Sequence, residues 1–402
     1  MSAKKKLRVA YISPYFPIRE QPHRGQSAFQ TMLRMQDEMT IEAFCPLTTY
    51  PRWAQPRNYP YTRTDLTWQP PGGLKAHYIE YPTLPVVGRV WNGLLCAHWI
   101  RQQVGAFQPD VILNYWLYPE GYAAMRVGRA LGVPVIAGSI GSDLNRIPDS
   151  ITRWWTRRAL LGSSFVVTVS DHLRRQAIAL GASPDRTRRI INGTDTTLFH
   201  PASRAEARRE LQLDPGDKII LFVGWIAPTK GLRELGEAFA RLAPQAPSLR
   251  LVLIGEGEMR KELEEQARAA GVGGRLVFAG RRNSAEIARW LAASDLFCLP
   301  SWAEGCPNVV VEALACGRAV VSTQVGGIPE LVNTPDKGIL VPIKDVNALT
   351  AALARALEHP WNEAAIAAAS NRDWSDCARE TEAVCREVVE RYRAGAAAGR
   401  TR

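Results

Sequence analysis

Residues 300–330 read PSWAEGCPNVVVEALACGRAVVSTQVGGIPE, and a mostly apolar run, Asp295 to Leu299, leads into them. That run has the length of a strand and ends at turn residues, which predicts a buried strand. Gly305 and Pro307 then make a loop. Helical patterning starts near Asn308 and stops at Gly317, a C-cap. The stretch is therefore strand, loop, helix, with Glu304 in the loop and Glu312 about one turn inside the helix. The amides near Asn308, Val309 and Val310 fall in the first turn, where no intrahelical carbonyl pairs with them; such an end binds anions, phosphate above all. A carboxylate just past a phosphate site is suited to ribose hydroxyls, and a second one in the loop to the hydroxyls of a sugar beyond the phosphates. The combination fits a nucleotide-sugar better than a simple phosphate.

Glu304 and Glu312 form a Glu-x7-Glu pattern. Together with Ser301, Gly305, Pro307, Asn308, Ala313, Gly317, Gly326, Gly327 and Glu330, it resembles the retaining glycosyltransferases of family 4 position by position. The resemblance implies the GT-B fold: α/β, two doubly wound Rossmann-like domains facing across a cleft. The second would bind a nucleoside-diphosphate sugar and the first an acceptor. It places Gly305, Cys306, Pro307, Asn308 and Val309 on the donor, with Glu304 acting on the transferred sugar and Glu312 on the ribose.

The chain has 402 residues, enough for two domains of ordinary size. A hydrophobic content of 46% with 22% charged residues is that of a soluble globular protein. No run approaches the roughly 20 apolar residues of a membrane span. Met1 to Lys6 is basic, but Leu7 to Ile12 is too short for a signal peptide and predicts a first strand. Seven scattered cysteines without a Cys-x-x-Cys pair argue for reduced thiols in the cytosol and against a disulfide framework or zinc site. The net charge of +11 and pI near 9.5 favour anionic partners. The arginines are spread along the chain with no nucleic-acid motif, so the expectation is no nucleic acid; an anionic membrane surface needs only a basic face.

Taken in order, Arg8 to Ser13 predicts a strand, followed by a loop and a helix from about Ser27 to Met39. Ile41 to Cys45 and His77 to Tyr81 are further strands. Between them, Pro46 to Gly73 is too long for a plain connection and is either an acceptor-shaping or membrane-touching segment or an irregular insert. Val90 to Val104 and Ile151 to Leu161 are helices in which tryptophans stand beside apolar residues or arginines, patterns that suit both half-buried helices and a lipid interface. Strands at Val111 to Leu113, Val133 to Ala137, Phe165 to Val169 and Arg189 to Ile191, with helices between, imply a doubly wound parallel sheet. Asn192 to Pro201 resembles the family's interdomain segment. The expected domains are 1–200 and 201–375. Strands follow at Ile219 to Val223, Leu249 to Ile254, Leu276 to Ala279, Leu296 to Leu299, Ala319 to Ser322 and Ile339 to Val341. A last helix, 376–392, is expected to pack back on the first domain, with 393–402 a disordered tail.

Lys230, in Gly224-Trp-Ile-Ala-Pro-Thr-Lys-Gly, stands at the mouth of a helix, where a cation neutralises a leaving diphosphate. The family usually pairs it with an arginine just after the glycine; here that position is Trp225. Gly255-Glu256-Gly257 lacks the third glycine of a hydride-transfer fingerprint and by resemblance is the turn beside the nucleotide. Gly280-Arg281-Arg282 lies by resemblance near the nucleobase, and its arginines are either phosphate or base contacts or plain surface charge. In the first half, Arg24-Gly25-Gln26 holds one glycine where the family has two facing the donor phosphates. The family's usual histidines are replaced, by Leu113-Asn114-Tyr115-Trp116 and by Ile140-Gly141-Ser142-Asp143. Asn114, Tyr115, Glu120 and Asp143 are the acceptor-side candidates, with Glu120 in a loop expected to face the cleft.

The expected reaction is transfer of a sugar from a nucleoside-diphosphate sugar, with retention, to a glycan or lipid-linked acceptor in bacterial polysaccharide synthesis. The Tyr115-Trp-Leu-Tyr-Pro-Glu-Gly text resembles exopolysaccharide and teichuronic acid transferases. The chain would work in the cytoplasm or on the inner membrane face, with no cofactor and no essential metal, because no Asp or His cluster suits a catalytic ion. The rivals are a nucleotide-sugar epimerase of the same fold, which needs no acceptor, and a non-catalytic nucleotide-sugar-binding regulator.

Overall fold

The computed structural model describes residues 6–54 and 64–400, with side chains in the last helix described as far as Gly395. The basic N-terminal residues 1–5 and positions 55–63 of the long Pro46 to Gly73 segment lie outside the described residues. The chain divides into two compact units, one of Met1–Ile191 with Trp374–Arg402 and one of Asn192–Asp373.

The first unit is built on seven parallel strands: β1 Leu7–Ile12, β2 Met39–Thr49, β3 Lys75–Pro82, β4 Val111–Tyr115, β5 Val135–Ser139, β6 Phe165–Thr168 and β7 Thr187–Arg189. Their order is β3-β2-β1-β4-β5-β6-β7. Side chains alternate across a strand, so β1 feeds both faces of the sheet. Val9 and Tyr11 join a core with the helix Gln26–Met35 and the last helix, through Met32, Cys377, Val384 and Val388. Ala10 and Ile12 join another core with Cys96, Ile100 and Val104 of the helix Asn92–Phe107 and with Ala123 and Val127 of the helix Tyr122–Leu131. Burial on both faces explains why these strands read as continuous apolar runs.

The last helix runs Trp374–Arg400, past the end expected at Tyr392. Arg391 pairs with Glu387 one turn back at 2.8 Å, Arg393 reaches Asp110 at 2.7 Å, and the alanines beyond favour helix where the glycines among them do not. Thus the segment expected to be a disordered tail is helical as far as Arg400.

The second unit has six parallel strands: β8 Lys218–Val223, β9 Leu249–Ile254, β10 Leu276–Gly280, β11 Leu296–Leu299, β12 Ala319–Thr323 and β13 Gly338–Val341. Their order is β10-β9-β8-β11-β12-β13. Below the sheet, buried Arg318 donates to the Ser294 carbonyl at 3.0 Å and to Glu363, while Asp295 takes Arg208 at 2.8 Å and the Ile219 amide at 2.7 Å. These paired charges close the edge where the strands begin.

In each sheet the strand order reverses once, between β1 and β4 and between β8 and β11. At such a reversal the connections leave in opposite directions and open a crevice beyond the carboxyl ends of the strands, where α/β proteins take ligands. In the second unit the segments leaving that point are those after Val223 and Leu299.

Candidate functional site

These two segments hold Lys230 and Glu304. Lys230 ends a short turn, Pro228–Lys230, and its Nζ donates to Glu304 Oε1 at 2.6 Å. The pair is sheltered, the carboxylate more deeply than the lysine, with side-chain exposures of 12% and 28%. The loop carrying Glu304 is held from several sides. The Trp302 amide donates to the Thr229 carbonyl at 3.0 Å and its indole to Glu234 at 3.2 Å. Thr323 donates to the Ser301 carbonyl at 2.5 Å, and the Gly327 amide to the Gly305 carbonyl at 2.8 Å. Gly231 sits at φ +68°, and a Cβ there would lie 1.9 Å from the Pro300 carbonyl oxygen, so only glycine lets the two loops approach this closely.

The helix Asn308–Ala315 begins directly after Pro307, which has no N–H, and no side chain caps it. The Val310 amide reaches the Pro307 carbonyl at 3.0 Å, so of the three amides expected to be unpaired this one is used internally. The Val309 amide stands in the first turn, at the positive end of the helix. Asn192 Nδ2 donates to Asn308 Oδ1 at 2.7 Å and to the Cys306 carbonyl at 3.3 Å, fixing both residues. Sequence reading took Asn192 only as the start of the interdomain segment, with no role at the site. Glu312 follows on the helix, part-buried, and burial raises its carboxyl to about 7.

Gly224 and Gly255 meet at the ends of β8 and β9: a Cβ on Gly255 would fall 1.8 Å from the Gly224 carbonyl oxygen. The Gly255 amide donates to the Gly280 carbonyl at 2.9 Å, which links the third strand end to them. Arg281 and Arg282 are exposed, Arg282 lying 3.7 Å from Glu286. Trp225, in place of the family's arginine, is 58% exposed.

The acceptor-side candidates turn out differently. Asn114 is fully buried, donating to the Ile12 carbonyl at 3.0 Å, and its Oδ1 has no hydrogen-bond partner. Tyr115 packs edge-on against Tyr11 at 6.0 Å inside the core, and burial pushes its phenol up. Glu120 was expected in an open loop; it lies instead in the buried turn Leu117–Gly121, where desolvation raises its carboxyl to about 8 against the pull of Arg24. Asp143 is also buried and accepts from Ser139 at 3.0 Å, the Gly141 amide at 3.0 Å and the Leu117 amide at 3.4 Å. It clamps two loops together, and burial raises its carboxyl despite those bonds. Gly25 stands at φ +63°, where a Cβ would lie 2.2 Å from the Tyr15 carbonyl oxygen. These residues stand within or against the first unit's own packing.

None of the seven cysteines is in a disulfide, and all are buried. Among the described residues no group of His, Cys, Asp and Glu gathers as metal ligands, and no helix is long and apolar enough to cross a membrane.

Two family models match the chain: "Glycosyl transferases group 1" over residues 203–379 and "Glycosyltransferase Family 4" over residues 55–198. A D-inositol 3-phosphate glycosyltransferase of Catenulispora acidiphila is 30% identical over 315 residues, 70% of this chain and 73% of the relative. One from Segniliparus rotundus is 29% identical over 68% of this chain and 66% of its own length. TuaC of Bacillus subtilis, described as a teichuronic acid biosynthesis glycosyltransferase, is 30% identical over 61% of each chain. The match thus spans just under two thirds of the last two relatives. Among solved structures, a sucrose-phosphate synthase of Thermosynechococcus elongatus superposes with a TM-score of 0.71 at 22% identity, over 98% of this chain and 100% of that one. Anabaena Alr3699/HepE, crystallised with UDP and glucose, gives 0.70 at 18% identity over 95% and 100%. Both likenesses are of fold.

Proposed function

The chain belongs to the family 4 glycosyltransferases, with their GT-B fold, and from that premise we propose that it moves a sugar from a nucleoside-diphosphate sugar to a glycan or lipid-linked acceptor, with retention. The observation that carries this reading is the Lys230–Glu304 pair at the β8–β11 crevice, beside the uncapped Asn308 helix. A diphosphate needs cations and oriented amides, and Lys230 with the Val309 amide at the helix N-terminus supplies both. Glu304 accepts from hydroxyls of the transferred sugar, and Glu312 from the ribose. The UDP held by the Anabaena neighbour supports a nucleotide donor.

In the proposed reaction the bond from the anomeric carbon to the diphosphate oxygen breaks. The acceptor oxygen bonds that carbon on the same face, and its proton passes to the leaving diphosphate. Lys230 and the helix amides stabilise the charge that develops there, where a preorganised donor is worth about 10²–10³ in rate. The proposal assigns no step to a metal ion or other cofactor and no contact to nucleic acid. A polymer acceptor on a lipid carrier would bring the enzyme to the cytoplasmic membrane face, as a polysaccharide-building role requires.

The test is an NMR time course with a panel of nucleotide-sugars, first alone and then with lipid-linked glycan extract. Transfer with the anomeric configuration kept, only when extract is present, is the expected result. Turnover of donor alone to an epimerised sugar, or binding without turnover in any mixture, would overturn it. Activity abolished by chelator would remove the metal-free part.

A further inference from the structure

The first unit carries an apolar face outside its cores, built by two elements side by side. These are the turn Val87–Val90 and the helix Ser150–Gly162. Arg89 of the turn pairs with Asp149, the helix N-cap, at 3.3 Å. The Tyr118 hydroxyl donates to the Arg89 carbonyl, while its ring stacks on Trp155 at 6.0 Å. The two elements are therefore fixed relative to each other. At the turn, Val86 is 73% and Val87 53% exposed, followed by exposed Val90 and Trp91. Val86 holds φ at 61°, a costly conformation for a β-branched residue. On the helix, Ile151, Trp154, Arg158 and Leu161 follow at three- and four-residue spacing and are exposed, whereas Trp155 and Ala159 pack inward. Apolar side chains gathered this way on a surface mark a docking site.

The charge around the face selects the occupant. Arg146, Arg153, Arg157 and Arg158 are exposed, and the one carboxylate between positions 146 and 161, Asp149, is already paired. A second copy docked here would set arginines against arginines. The geometry points to an anionic lipid bilayer as the partner, with Val86, Val87 and Trp154 entering the acyl boundary and the arginines lying at the phosphates. This deepens the lipid-linked part of the proposed function but needs no turnover, so binding and sugar transfer can fail separately. It also differs from attraction by net charge alone, because the apolar contacts persist when salt screens the arginines.

Vesicle sedimentation of the full chain tests it, using phosphatidylglycerol–phosphatidylcholine and pure phosphatidylcholine vesicles at about 0.1 M and about 1 M sodium chloride. The anionic vesicles should bind more, with a fraction retained at high salt. Val86→Asp with Val87→Asp, and separately Trp154→Ser, should each lower high-salt binding by about tenfold or more. Arg153→Glu with Arg157→Glu should lower low-salt binding by roughly fivefold per arginine. The apolar variants alter separate exposed elements, and circular dichroism melts verify each fold. Binding lost entirely in high salt, apolar variants that bind like the unaltered protein, or a dimer in sedimentation velocity that those variants dissolve would each overturn the assignment.

Discussion

Lys230 Nζ lies 2.6 Å from Glu304 Oε1, and the two residues follow neighbouring strands of one sheet, β8 and β11. Each places its charge beside the other's in a sheltered place. Lys230→Ala should cost about 10²-fold or more in turnover, the scale of one lost charge stabiliser.

Glu304→Ala should act differently. It frees Lys230 for the diphosphate, so affinity for nucleoside diphosphate should hold or rise while turnover falls. Calorimetry beside initial rates separates the two. Equal loss of diphosphate affinity in both variants would contradict the assigned roles.

Glu312 gives a pH signature. Burial lifts its carboxyl to about 7, so it is largely protonated at pH 6 and ionised at pH 8. An acceptor for ribose hydroxyls works best ionised, and the diphosphate of a nucleotide-sugar does not titrate in this range. Nucleotide-sugar affinity should therefore fall as pH drops through about 7, and Glu312→Gln should be weaker and nearly flat. A wild-type profile as flat as the variant's would remove Glu312 from the ribose.

The fold was legible because both sheets are buried on both faces, so strands such as Leu249–Ile254 and Leu296–Leu299 appear as unbroken apolar runs between turn residues. The placement of Glu304, Asn308 and Glu312 was legible because they lie in one short stretch, and their local spacing fixes their geometry. The acceptor side was not. Whether Glu120 faces a crevice or the interior depends on how the turn after β4 packs near Arg24 and, through the Tyr118 hydroxyl, on Arg89, contacts distant in sequence. Trp154 and Trp155 are equally ambiguous as neighbours. Only the structure shows Trp155 stacked on Tyr118 and Trp154 turned out beneath Arg158, 4.4 Å from its ring. Asn192, more than a hundred residues before Asn308, left no trace in spacing at all.

Burial of Glu120 should appear in stability against pH. Its folded carboxyl stands at about 8, against 4.5 for an ordinary glutamate. Between those values the folded state holds the proton that the unfolded chain has released, so this group's contribution falls as pH rises from about 4.5 to about 8. Glu120→Gln removes that loss. Thermal melts should show the variant gaining on the wild type across this window, by on the order of a few kcal/mol at pH 8. A constant difference from pH 4 to 9 would mean that Glu120 ionises normally.

Asn114 and Tyr115 should behave as core residues. Asn114→Ala leaves the Ile12 carbonyl without its donor in a dry interior, a loss of about 1–3 kcal/mol. Chemical denaturation should register it, while nucleoside-diphosphate affinity stays unchanged. Tyr115→Phe should lose far less turnover than Lys230→Ala. A Tyr115→Phe enzyme as impaired as Lys230→Ala would end the reading in which the leaving diphosphate serves as base.

The donor site itself is tested most directly by a thermal-shift titration of nucleoside diphosphates with the wild type and with Lys230→Ala and Glu312→Ala. A bound diphosphate at a hundredfold excess over its dissociation constant stabilises by about 2.7 kcal/mol. The predicted result is a clear rise in melting temperature with one or more diphosphates, and a much smaller rise at the same concentration in both variants. No rise with any nucleoside diphosphate, or the same rise in all three proteins, would contradict a donor site built on Lys230, the Asn308 helix and Glu312.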